Sequence, residues 1–147
     1  MPENQIFTLE INLKRKEKYK FEVDFGKDTI PTLMLDELKE VPGGEETGPT
    51  ASMLLGAAVG NCLSASLIFC LEKKRIPLTD IKAKVILKRQ RNEKGFWRIL
   101  EINVELYPQT LLNNVENYER CLEIFRNYCI VSSSIVSGIP INVDVIR

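Results

Sequence analysis

The chain has 147 residues, of which 44% are hydrophobic and 27% charged, and its twenty basic and twenty acidic residues leave a formal net charge of zero. That length and apolar content are enough to bury a substantial core, which excludes a disordered chain. The charge balance removes the global field that would draw the protein onto nucleic acid or an anionic membrane.

The N-terminal segment MPENQIFTLEINLKRKEKYK lacks the basic start, apolar stretch and small-residue cleavage site of a secretory signal, so a cytoplasmic location is expected. Four cysteines fall well short of a disulfide scaffold. In a reducing compartment they are expected to rest as thiols, with any bridge transient and functional.

In chain order, Ile6 to Leu13 alternates apolar and polar residues, and Tyr19, Phe21, Val23 and Phe25 repeat the period of two. Two strands are predicted, joined by a charged hairpin loop over Lys14 to Lys18, and Thr29 to Leu35 can supply a third. The turn-rich stretch from Glu40 to Pro49 leads to Thr50, a helix N-cap candidate.

Ala51 to about Lys74 then reads as one apolar helix rich in Gly and Ala, stopped by Pro77. It is long enough to suggest a membrane span, but Ser52, Asn61, Ser64 and Ser66 interrupt it, and a buried core helix is the expectation. A helix apolar all round must be covered on every side, which points to a homodimer.

Ile81 to Arg91 and Phe96 to Tyr107 are predicted as two long antiparallel strands around the turn Asn92-Glu93-Lys94-Gly95, with Trp97 facing the core. Val115 to Val131 places Tyr118, Cys121, Leu122, Phe125 and Cys129 at three- and four-residue steps, an amphipathic helix. Ile139, Ile141, Val143 and Val145 form a last predicted strand.

With no histidine in the chain, thiol redox chemistry leads the options for an active site. Cys62 and Cys70 lie eight residues apart on one helix, about 12 Å along its axis, too far for a bridge while the helix persists. The same spacing separates Cys121 from Cys129. Any intramolecular bridge must therefore join the two helices, pairing Cys62 or Cys70 with Cys121 or Cys129. The small residues Gly56, Ala57, Ala58 and Gly60 before Cys62 favour the Cys62 and Cys129 pairing. Cys70 and Cys121 read as inert core thiols.

Zinc finds no set of four ligands. A phosphate loop is absent, since Gly43-Gly44 and Gly48 are not followed by Gly-Lys-Ser/Thr. Ser132, Ser133 and Ser134 are expected to bond backbone groups.

The segments TASMLLGAAVGNCLSASLIFCLEKK and RNYCIVSSSIVSGIPI, with the order of elements, resemble the OsmC/Ohr family from about Phe21 to the C-terminus. The resemblance implies an α/β (α+β) intertwined homodimer of order βββ-α-ββ-α-β around a long buried central helix. A single OsmC-like domain would cover residues 1–147, with N-terminal strands over 1–48 and the helix and C-terminal sheet lobe over 49–147.

It also implies a thiol peroxidase of oxidative-stress defence that reduces organic or inorganic hydroperoxides, with Cys62 as the attacking thiolate, Cys129 as the resolving thiol and Arg15 as the cation beside them. No cofactor is implied beyond an external dithiol reductant, and no nucleic acid or membrane partner. Ser52 stands where hydroperoxide-resistance members carry a glutamate, and Ile130 replaces the proline of their Cys-Pro-Val motif. These departures suit the broader OsmC-like branch, and Glu45 or Glu46 could orient the arginine instead. The alternative is a non-catalytic dimer that binds an apolar small molecule or a partner.

Overall fold

The computed structural model describes residues 4–147 as two compact units, 4–54 and Leu55–Arg147. In the first, β1 (Asn12–Glu17), β2 (Lys20–Asp24) and β3 (Leu33–Leu35) form an antiparallel sheet in that order. Arg15 lies within β1 and pairs with Phe21 of β2, and the turn falls at Lys18–Tyr19, with Lys18 at positive φ. The predicted hairpin loop over Lys14 to Lys18 is therefore mostly strand. The charged side chains do not prevent it, because every residue of β1 is exposed and a hydrated strand face accepts Lys and Arg.

Asp36 closes the loop behind β3. Its buried carboxylate accepts from the Thr47 N–H at 3.0 Å, the Thr47 hydroxyl at 2.7 Å and the Glu37 N–H at 2.8 Å. These donors, the Thr47 amide first, outweigh desolvation and hold its pKa down at about 2.

The chain enters α1 (Ala51–Lys73) through the predicted cap, the Thr50 hydroxyl accepting from the Met53 N–H at 3.2 Å. By length and composition α1 could cross a membrane, yet eight of its residues are buried within the protein, as a core helix requires. Its buried side packs on the hairpin of β4 (Leu78–Arg91) and β5 (Trp97–Thr110). Gly60 is needed there: a Cβ would lie 2.6 Å from the Val85 Cγ2 on β4, closer than two carbons can approach.

The hairpin departs from expectation at its tip. Trp97 is 52% exposed, with the Arg89 and Arg91 guanidinium groups 5.2 and 4.9 Å from its ring centre. The indole covers arginines rather than the core because it lies at the far end of strands whose buried contacts are made nearer their other end.

The predicted helix over Val115 to Val131 is broken. α2 (Val115–Ile124), capped by the Asn114 side chain, tightens into a 3-10 turn at Phe125–Tyr128, and α3 (Ile130–Ser137) starts again beyond an extended Cys129. The Cys129 sulfur accepts from the Ser132 N–H and so caps a new helix at the point where the run breaks. After Gly138 no strand forms, and Ile139, Ile141, Val143 and Val145 are exposed. Strand formation needs a paired edge, and none receives this segment among the described residues.

Candidate active site

Two small apolar clusters join α1 to the hairpin and to the α2–α3 region. The first gathers Leu67, Cys70, Leu71, Ile76 and Cys121, and the second gathers Val59, Leu63 and Cys129. Leu106 of β5 and Phe125 of the 3-10 turn pack against both. An edge-to-face contact between Phe69 and Tyr128, with ring centres 5.2 Å apart, adds a further tie between α1 and the turn.

The structure brings Cys62 and Cys129 together. Cys62, on α1, is partly exposed and packs against the cluster that holds Cys129, which is only 1% exposed. Both are free cysteines. The Cys129 sulfur caps α3, accepting from the Ser132 N–H at 3.4 Å. Burial is the largest influence on this thiol and pushes its pKa up. Hydrogen bonds from the Ser132 hydroxyl and amide, the Cys62 thiol and the Val131 amide together outweigh it, so the pKa lies below the ordinary value.

The acidified sulfur is thus the hidden one, while the accessible sulfur packs beside it. Sequence reading missed Ser132 as a support for this pair, because cysteine is not among the residue types that mark a helix cap. Ser133 does bond a backbone group, its hydroxyl donating to the Arg126 carbonyl at 3.3 Å.

Cys70 and Cys121, expected as inert thiols, instead form a disulfide with their Cα atoms 5.7 Å apart. The expectation that all four cysteines rest reduced is corrected accordingly. Local apolar context cannot separate a buried thiol from a buried half-cystine, because both pack as small hydrophobes.

Arg15 belongs to the first unit, on a strand rather than a loop, and its Nε donates to the Lys18 carbonyl at 2.7 Å. Glu45 does not orient it. That carboxylate meets Lys18 at 2.7 Å and Lys20 at 3.3 Å, and hydrogen bonding to Lys18 first, then Lys20, lowers its pKa. Glu46 accepts from the Lys39 N–H at 3.2 Å.

Next to the cluster that holds Cys129 lies a cavity of about 660 Å³, with Val59 and Leu63 in its wall and Glu101, Asn103, Arg126 and Ser132 as polar members. It is large enough for a small organic molecule and is contained in the second unit.

An α/β protein with two facing thiols on a core helix and at a helix cap is, as a class, a candidate dithiol redox protein. The profile of the OsmC-like protein family matches residues 43–144, and the chain belongs to that family. Among curated protein sequences, none matches.

The fold is similar to that of an OsmC-like protein of unknown function from Vibrio cholerae (TM-score 0.74, 12% identity, covering 88% of this chain and 94% of that one). It is equally similar to an OsmC-like protein from Mycoplasma pneumoniae (0.74, 15% identity, 91% of each chain). An organic hydroperoxide resistance protein from Bacillus subtilis gives a TM-score of 0.61 at 16% identity, covering 90% of this chain and 93% of that one. The structural relatives thus include hydroperoxide-resistance proteins, and the mixed α/β fold is that of the OsmC/Ohr group.

Proposed function

We propose that the protein is a thiol-dependent peroxidase that reduces organic or inorganic hydroperoxides through Cys62 and Cys129, in oxidative-stress defence. The observation that carries this reading is the adjoining pair of free sulfurs, one accessible and one buried at a helix cap where it accepts from the Ser132 N–H. The Cys62 thiolate attacks the peroxide, the O–O bond breaks, and the alkoxide leaves with a proton as the alcohol. Cys62 becomes a sulfenic acid. Cys129 then displaces its oxygen as water, closing a Cys62–Cys129 disulfide. An external dithiol takes up the oxidising equivalents and restores both thiols, so the cycle needs no resident cofactor.

The adjoining apolar cavity suits a hydroperoxide with a hydrocarbon body. Arg15 remains the residue that family resemblance assigns as the activating cation, and Arg126 offers a second cation in the same unit as the thiols. A homodimer belongs to this reading. The face of α1 carrying Ala57, Ala58, Asn61, Ala65 and Phe69 is uncovered, as are the alternating apolar residues after Gly138. A second copy would cover both. A cytoplasmic site of action suits the expected thiol cycle.

The test is stopped-flow oxidation of protein whose Cys62 and Cys129 are reduced, by cumene hydroperoxide and by hydrogen peroxide, with mass spectrometry of the product. A fast reaction yielding a Cys62–Cys129 bridge, lost in Cys62→Ser, is expected. If neither oxidant reacts faster than with free cysteine, the reading fails. The cavity then favours the second one, a non-catalytic dimer that holds an apolar small molecule.

A further inference from the structure

The two cysteine pairs form an antiparallel ladder: Cys62 and Cys70 are eight residues apart on α1, Cys121 and Cys129 eight residues apart on the facing segment, and 62 meets 129 as 70 meets 121. Only the second rung is closed. We propose that Cys70–Cys121 is a resident structural disulfide, kept closed through the redox cycle of the other pair, and that it positions Cys129 for closure onto Cys62. The positioning role rests on the peroxidase reading above; the resident bridge does not.

Residence follows from burial. Cys70 and Cys121 are 1% and 0% exposed inside a cluster of Leu67, Leu71 and Ile76. A reducing thiolate must approach a disulfide sulfur along the S–S axis, and this core gives it no path without local opening. Cys62 is partly exposed, so a Cys62–Cys129 bridge is open to the same reductant. One dithiol can therefore turn over one rung and leave the other intact.

Positioning follows from chain continuity. From Cys121 the Phe125 N–H bonds back to the Cys121 carbonyl, and from that turn the Cys129 N–H bonds to the Arg126 carbonyl. Phe125, between the two rungs, packs against both cysteine clusters. The covalent tie at Cys121 thus fixes the start of a short hydrogen-bonded run that ends at the Cys129 sulfur, and raises the effective concentration of that sulfur at Cys62.

The bridge forms by thiol–disulfide exchange with a small-molecule disulfide before the core closes. One cysteine thiolate displaces the first thiolate of the oxidant, and the second cysteine displaces the other. One S–S bond breaks and one forms, and the two protons pass to the two released thiols.

The experiment uses the full chain. Native protein is treated with dithiothreitol, alkylated and mapped by mass spectrometry without further reduction. Cys62 and Cys129 are expected to carry the label while the Cys70 and Cys121 peptides stay joined, reduction of that bridge being at least about tenfold slower than for an exposed disulfide. Equal labelling of all four cysteines, or no bridge between Cys70 and Cys121 before reduction, overturns residence.

For positioning, Cys70→Val with Cys121→Ala is compared with wild type in diamide-driven closure of the Cys62–Cys129 bridge. About tenfold slower closure is expected. Unchanged closure overturns positioning. Diamide is not a hydroperoxide, so this result stands whether or not the peroxidase reading does. If hydroperoxide is turned over, the variant should form the Cys62 sulfenic acid at the wild-type rate yet accumulate more sulfinic acid. That split separates positioning of Cys129 from a general loss of structure, and equal losses in both steps contradict the proposal. A variant that fails to fold leaves the wild-type labelling map to decide residence and denies the bridge a purely positioning role.

Discussion

The two cysteine pairs join the same two segments at the same spacing, yet their surroundings are opposite. Cys70 and Cys121 are enclosed by Leu67, Leu71 and Ile76 and are bonded to each other. Cys62 and Cys129 lie where α1 is partly exposed and where a helix begins, so peptide and hydroxyl donors converge on one sulfur. A thiol becomes chemically useful through access and donors rather than through proximity to another thiol, and proximity alone makes a staple.

The largest effect that would break this contrast is on Cys62. Cys62→Ser should abolish hydroperoxide-driven disulfide formation, while Cys70→Ser should leave the first oxidation step near the wild-type rate. Stopped-flow traces of the two variants separate these outcomes.

The second is on stability. Opening Cys70–Cys121, which closes a separation of 51 residues, should cost about 2–4 kcal/mol in urea unfolding. Cys129→Ala, which removes a cap acceptor and a buried sulfur, should cost about 1–2 kcal/mol.

Close to these is Gly60→Ala. Its Cβ would collide with Val85, and the adjustment of α1 against β4 should cost about 1–3 kcal/mol while slowing closure of the Cys62 pair. Unfolding midpoints and diamide closure rates measure both.

A subtler test is Ser132→Ala, which removes one of the donors that acidify Cys129. The thiolate absorbance should then titrate at higher pH than in wild type, with the Ser132 amide bond kept. An unmoved titration would mean that the pair's acidity comes from Cys62 and the helix amides.

The smallest effect lies outside the contrast, at Asp36. Its folded pKa of about 2 is below the ordinary 3.8 of an aspartate, so the ionised form stabilises the fold. That contribution is complete above the unfolded pKa and fades as pH falls from about 4 towards 2. Acid unfolding of Asp36→Asn should show a flatter pH dependence across that window.

Much of this was legible in the residues themselves. The cap at Thr50, the mostly apolar run from Ala51 to Leu71 and the alternation around Asn92–Gly95 each report a local preference, and each element formed. The helical spacing of the cysteines also yielded the rule that bridges must join two different segments.

What stayed hidden depends on surroundings remote in sequence. Which rung is closed is decided by burial on both helices at once. Trp97 alternates like a core residue but lies at a hairpin tip, and Ile139 to Val145 alternate without an edge to pair with. Five charges in a row around Arg15 look like a hydrated loop, and an exposed strand permits the same hydration.

The extended Cys129 that interrupts the helical run has one more consequence. A sulfur that caps α3 as a thiolate is a stronger acceptor than the same sulfur in a disulfide. In the proposed cycle, closing the Cys62 bridge would weaken the first turn of α3, and reopening it would restore that turn. Amide exchange at Ser132 and Ser133 would then act as a clock for turnover, recording the oxidation state of a buried sulfur in the backbone that it caps.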